Sequence, residues 1–185
     1  MRRPGTTNPE LALPVPSFRA MRAALDESVG PDAAATALRR AGHAAGDALF
    51  PLLSAGTPDA PAAEAGELPE AAFWRRVADL FGSRGWGRLE FQAIHLGLGA
   101  LEAADWAEAD PADGGLHPSC HFTTGLLANL LGRTAGADVG VLEVECRSRG
   151  DLCCRFVFGG HDALDTLYQA LARGQSLEQA LAVLV

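Results

Sequence analysis

A chain of 185 residues, 48% hydrophobic and 21% charged, has the composition of one globular domain with a sizeable core. The formal charge of −8, the pI near 5.0 and the absence of lysine argue against a basic nucleic-acid surface, Schiff-base chemistry and a P-loop lysine. No apolar run approaches the roughly 18–20 residues a spanning helix needs, and Met1-Arg2-Arg3-Pro4-Gly5 is followed by no signal-peptide core, so a cytoplasmic protein without a membrane span is expected.

Residues 1–14 carry prolines and few groups able to bury surface, and are expected to form a flexible arm ahead of a single domain over 15–185. Phe18, Met21, Ala24, Leu25 and Val29 recur at three- and four-residue steps after Ser17, a candidate N-cap, which predicts an amphipathic helix. Gly30-Pro31 breaks it. A second helix is expected from Asp32 to about Leu49, ending before Pro51. Its small residues Gly42, Ala45 and Gly46 suit close approach of another helix or of a symmetry mate. Residues 54–68, rich in Ala, Pro, Gly and Glu, read as a surface loop.

Pro69 stands at a helix start, and Phe73, Trp74, Val77, Leu80 and Phe81 form the apolar stripe of a third helix that stops at Gly82 and Gly85. Trp86–Leu96 and Leu98–Ala107 part at Gly97 as a β-hairpin. After an Asp110–Leu116 loop, Ser119 could cap a helix from Cys120 to Leu131 that stops at Gly132. Val139–Cys146 and Leu152–Phe158 flank Ser148-Arg149-Gly150-Asp151 as a second hairpin. A helix over Asp162–Ala172 ends at Gly174, and Ser176 with Gln179 forms a capping box for a last one. The predicted class is α+β: helices, hairpin, helix, hairpin, helices, with an antiparallel sheet packed on the helices.

Cys120, Glu143, Cys146 and Cys154 stand beside turns that could bring them to one divalent ion. Three thiolates and a carboxylate suit zinc, whereas magnesium or calcium would ask for an all-oxygen shell. Four protein ligands leave no open position for water, so such a site would be structural rather than hydrolytic. Side chains three apart on a regular strand point to opposite faces, so Glu143 and Cys146 can share an ion only if a bulge or strand end lies near Cys146. Adjacent Cys153 and Cys154 also face opposite ways, and only one should ligate. A two-residue turn at Arg149-Gly150 would set Cys146 opposite Cys153, which leaves a rival pairing open, as does inert packing of buried thiols. His117, His121 and His161 read as solvated histidines, and Glu102, Asp105, Glu108 and Asp110 as a solvated rim without a catalytic role.

The stretch Cys120-His121-Phe122-Thr123-Thr124-Gly125-Leu126-Leu127, followed by Val141-Leu142-Glu143-Val144-Glu145-Cys146-Arg147-Ser148-Arg149-Gly150 and Cys154-Arg155-Phe156, resembles the 4-vinyl-reductase domain family. That family includes the sensor domains of aromatic-responsive bacterial activators and proteins linked to bacteriochlorophyll synthesis, and its fold is shared with TRAPP tethering subunits. The resemblance runs from about Ser17 to Ala180 and is strongest from Cys120 to Phe158. It implies zinc on Cys120, Glu143, Cys146 and Cys154, with Cys153 left out.

The resemblance also implies a small aromatic ligand in a pocket between sheet and helices, near the zinc but not on it. For such a pocket the chain offers Trp86, Phe91, His95, Trp106 and Phe122, with His95 and Trp106 as polar handles. The sensors continue into an ATPase and a DNA-reading domain, whereas this chain stops at Val185, so a stand-alone, ligand-binding regulatory domain is expected, as a homodimer. Two other classes stay in view: a tetrapyrrole-pathway accessory protein or vinyl reductase, for which no flavin or nicotinamide fingerprint is present, and a dimeric scaffold. No residue is assigned to catalysis.

Overall fold

The computed structural model describes residues 10–55 and 63–184. The expected arm over 1–14 and surface loop over 54–68 therefore fall partly outside the described residues. Six α-helices and four strands follow in the order α1 (Val15–Val29), α2 (Pro31–Ser54), α3 (Glu70–Gly82), β1 (Glu90–His95), β2 (Leu98–Ala103), α4 (His121–Ala135), β3 (Gly140–Glu145), β4 (Cys154–Gly159), α5 (His161–Ala172) and α6 (Leu177–Leu181). The α+β class and the element order are as read from the sequence.

Several boundaries differ. The first helix begins at Val15 with Pro14 as its N-cap, so Ser17 lies inside it. Its expected apolar face is only partly used: Met21 and Val29 are exposed, while Arg22 is buried and its guanidinium donates to the Glu108 carbonyl at 2.5 Å. Helix α2 runs through Pro51 to Ser54 rather than ending near Leu49. A proline this close to a helix end removes one hydrogen bond. Burial of Leu53 and the Arg76 guanidinium, which donates to the carbonyls of Leu53 and Ala55 at 2.8 and 3.1 Å, hold the extra turn in place. Likewise α4 passes Gly132 and stops at Gly136, whose φ of +61° is the left-handed conformation a helix stop uses.

The strands form one antiparallel sheet in the order β1-β2-β4-β3. Period-2 alternation sends Leu101, Ala103, Cys154 and Phe156 to one face, where they pack with Phe73, Phe81, Trp106, Leu126, Leu127 and Leu130 from the α3 and α4 side. Leu98, Ala100 and Val157 point the other way, onto Leu164, Leu167 and Ala170 of α5. Central strand β2 is consequently apolar on both faces apart from Glu102.

The small residues of α2 meet a helix of the same chain. A Cβ on Gly42 would collide with the Phe122 carbonyl, one on Gly125 with the Arg39 carbonyl, and one on Gly46 would stand 2.6 Å from the Asn129 side chain. Backbone-to-backbone contact of this kind fixes α4 against α2 and so fixes where α4 begins. That start is the edge of the candidate site.

Candidate metal centre

The ligating atoms of Cys120, Glu143, Cys146 and Cys154 all lie within 4.8 Å of one another, and all four residues are buried. Cys120 is the N-cap residue of α4, Glu143 is on β3, Cys146 directly follows β3, and Cys154 opens β4. The Sγ of Cys120 lies 3.9 Å from each of the Sγ atoms of Cys146 and Cys154. This set could hold a metal ion.

The parity problem is solved on β3. Glu143 pairs with Phe156 and Glu145 with Arg155, so the register shifts between them and two residues of β3 oppose one of β4. The bulge reverses the alternation, which turns Cys146 onto the same face as Glu143. The strand then ends, and Arg147–Arg149 form a 3₁₀ turn closed by Gly150 at φ +95°. This turn replaces the tight two-residue one that would have set Cys146 against Cys153. Cys153 points away from the cluster, with its Sγ donating to Glu145 Oε2 at 3.3 Å.

Two carboxylates hold the start of α4. Glu143 Oε2 accepts from the Cys120 N–H at 2.8 Å, while Oε1 is buried without a hydrogen-bond partner among the described residues. Glu108 accepts from the backbone N–H groups of Phe122 and Thr123 at 2.9 and 2.8 Å and from the Thr123 hydroxyl at 2.5 Å. The first N–H groups of a helix have no partner within it, so each such bond stabilises by about 1 kcal/mol, and the negative charges suit the positive end of the helix dipole. The reading of Glu108 as part of a solvated rim is thus overturned, because it is fully buried. Nothing local in the sequence marks it: it sits in an irregular loop, and only the tertiary position of α4 gives it donors.

The electrostatics of the cluster follow from burial. The S–H groups of Cys120 and then Cys154 pull the Cys146 thiol far down, and Ser119 Oγ, 3.8 Å from the Cys146 sulfur, adds to this. Cys120 is driven well up by the same bond to Cys146, then by Cys154 and burial. For Cys154 the bond to Cys120 acts downward, but the bond to Cys146 and burial outweigh it and the thiol is raised. Burial, then the negative Cys146 sulfur, pushes Glu143 up to about 9. The four groups therefore carry one negative charge, on Cys146, unless a cation sits among them. Asp151 supports this sulfur's position from outside: its Oδ2 accepts from the Cys146 N–H at 2.7 Å and pairs with Arg149 at 2.7 Å.

The five aromatic and histidine candidates separate into two groups. Trp86, Trp106 and Phe122 lie together in the interior, Trp86 stacked on Phe122 with centroids 5.6 Å apart and 5.8 Å from Trp106. Trp106 is fully buried and its indole N–H donates to Thr123 Oγ1 at 2.8 Å, which links it through Thr123 to Glu108. Phe91 and His95 instead line a cleft of about 690 Å³ between α3, the β1–β2 turn and the end of α4. Phe91 stacks on Trp74 there, 4.2 Å between centroids and 9° between planes. Cys154 begins β4 at the metal cluster, and Phe158 lies near its other end at the cleft, so the two sites occupy opposite ends of one strand.

Residues 103–160 match the family model of the V-4-R (4-vinyl-reductase) domain. Comparison with curated proteins gives no match. Among solved structures, the chain is similar to the phenol-responsive sensory domain of the transcription activator PoxR, crystallised with phenol, at 16% identity and a TM-score of 0.67 over 90% of this chain and 84% of that one. It is also similar to a vinyl-4-reductase family protein from Methanocaldococcus jannaschii, at 18% identity and a TM-score of 0.53 over 82% of this chain and 84% of that one. All four cluster residues fall inside the matched segment, and residues 103–160 are thereby identified as a V-4-R domain segment within a chain that shares the fold of these two proteins.

Proposed function

We propose that this chain is a small-molecule-binding regulatory domain, sensor-like in role, whose sheet and central helix are stapled by one structural zinc ion. The observation that carries the zinc reading is the unpartnered, buried Oε1 of Glu143 beside three sulfurs. A buried carboxylate oxygen without a hydrogen bond is costly. A metal bond is the partner that its surroundings provide for. Tetrahedral zinc with Zn–S distances of about 2.3 Å sets sulfurs about 3.8 Å apart, close to the 3.9 Å between Cys120 and each of the other two thiols. Bound zinc would supply the positive charge that lets all three thiols and the carboxyl ionise. Cys120, Glu143, Cys146 and Cys154 would hold it, with Oε2 of Glu143 still engaged by the start of α4.

The ligand site in this reading is the 690 Å³ cleft at the far end of β4, walled by Trp74, Phe91 and Phe158 and bordered by His95. Support comes from its size and aromatic lining, which suit a hydrophobic or aromatic molecule, and from the fold shared with a phenol-responsive domain. The interior trio of Trp86, Trp106 and Phe122 then acts as the packed link between cleft-side core and α4. Met21 and Val29, exposed on α1, are the apolar surface on which a homodimer would form. The unit proposed is one cytoplasmic domain over 15–185 without catalysis of its own.

Native mass spectrometry of the purified chain tests this reading in one experiment. The expected species carries one zinc per chain, takes up a small hydrophobic ligand and populates a dimer. A chain with no metal and no uptake of any aromatic probe would overturn it.

A further inference from the structure

The walls of the cleft and the charges on its rim point to one ligand class. Trp74, Phe91 and Phe158 form a three-ring wall, with Phe158 tilted 47° to Trp74 at 5.6 Å and 39° to Phe91 at 6.2 Å. Ring faces carry negative electrostatic potential, so a wall of several tilted rings attracts a cation more than a neutral group of the same shape. The charged groups on the rim are two carboxylates: Glu70, in the first turn of α3, and Asp138, just before β3. No arginine is among the described residues that line the cleft, and the chain has no lysine. The ion-pair partner of Asp138 is the His161 ring, with Nε2 at 3.2 Å and both groups largely exposed. His95 Nδ1 is engaged by the Leu96 carbonyl at 2.9 Å and so faces its own turn. An organic anion would meet two like charges here, and a neutral phenol would use only an acceptor on the rim. An ammonium group attached to an apolar body would use rings and carboxylates together.

Resting on the reading of this cleft as the ligand site, we infer that its ligand is a hydrophobic organic cation, an aryl- or alkylammonium, held by the Trp74, Phe91 and Phe158 rings under the Glu70 and Asp138 carboxylates.

The test titrates the full chain with benzyltrimethylammonium, with its uncharged carbon isostere neopentylbenzene, and with phenol, following tryptophan fluorescence at low and at physiological salt. The ammonium is expected to bind about 3- to 30-fold more tightly than the isostere, the range a cation–π contact gives between exposed and partly dry settings. The ratio should shrink with salt. The double variant Glu70→Gln, Asp138→Asn is expected to bring it close to one while circular dichroism and metal content stay unchanged, since both residues are exposed. Trp74→Leu should weaken both benzyl probes. Equal binding of ammonium and isostere, or a ratio untouched by the double variant, would overturn the cation inference and leave the cleft as a general apolar site. Binding of none of the three probes would overturn the inference and the ligand-site reading together.

Discussion

The Cys120 N–H donates to Glu143 Oε2 at 2.8 Å, and the other oxygen of that carboxylate, Oε1, lies beside three sulfurs with no hydrogen bond of its own among the described residues. One side chain thus caps a helix and completes a ligand set. Any change at Glu143 acts on both, and the metal and the start of α4 are mechanically joined.

Removing one sulfur should release the metal. Cys146→Ala and Cys120→Ala are each expected to lower metal content to near zero and to destabilise the domain by about 3–5 kcal/mol, since loss of a structural metal is among the largest single-site effects. Cys153→Ala, which removes one partly buried bond to Glu145, should cost under about 1 kcal/mol and keep the metal. Urea unfolding with metal analysis of the three variants checks this. Equal losses in Cys146→Ala and Cys153→Ala would contradict the ligand assignment.

Metal binding should release protons. Cys120, Cys154 and Glu143 all have raised proton affinity, whereas Cys146 is already ionised. Near neutral pH the metal must therefore displace protons from the first three. The metal-free state holds more protons than the loaded one, so affinity rises with pH up to the raised values, by as much as about tenfold per pH unit for each proton released. Calorimetric titration in buffers of different ionisation enthalpy counts those protons, and Glu143→Gln should release one fewer and bind more weakly. Affinity that falls between about pH 6 and 8 would contradict the assignment.

Glu108 links stability to pH in a known direction. Burial raises its carboxyl above the ordinary range, against the pull of Thr123, Arg22 and the Phe122 N–H. The native state thus binds the proton more tightly than the unfolded one. The stability this contributes is complete below the unfolded value near 4.5 and is lost as pH rises through the raised native value. Glu108→Gln should flatten that part of the pH–stability curve measured by urea unfolding. Thr123→Val should cost about 1–3 kcal/mol by stranding the Trp106 N–H, with metal retained.

Close packing of α2 on α4 gives a further test. Gly42→Ala and Gly125→Ala each drive a Cβ into a backbone carbonyl of the opposite helix, and should destabilise by about 3 kcal/mol or more. Gly82→Ala, whose Cβ would have its nearest neighbour at 3.9 Å, should stay within about 1 kcal/mol of the parent. Thermal unfolding of the three variants decides this.

What the sequence disclosed follows its chemistry. Rare side chains such as Cys120, Cys146 and Cys154 announce a site, and the geometry constraint on Glu143 and Cys146 forecasts the bulge between Glu143 and Glu145. Glycine turns at Gly97 and Gly174 and the Ser176–Gln179 capping box are local, and local rules describe them. Pro51 and Gly132 misled because the packing of Leu53, Leu130 and Leu131 overrides a weak breaker in a helix otherwise well held. Glu108 and the separation of Phe91 from Trp106 were invisible, since both depend on which side of the sheet-and-helix core a residue enters. No spacing along the chain records that.

X-ray absorption at the zinc edge of the purified chain measures the ligand shell itself. The expected spectrum fits three sulfurs at about 2.3 Å and one oxygen at about 2.0–2.2 Å, with the oxygen contribution altered in Glu143→Gln. A chain purified without stoichiometric metal, or a shell dominated by nitrogen and oxygen, would contradict the Cys120, Glu143, Cys146 and Cys154 centre.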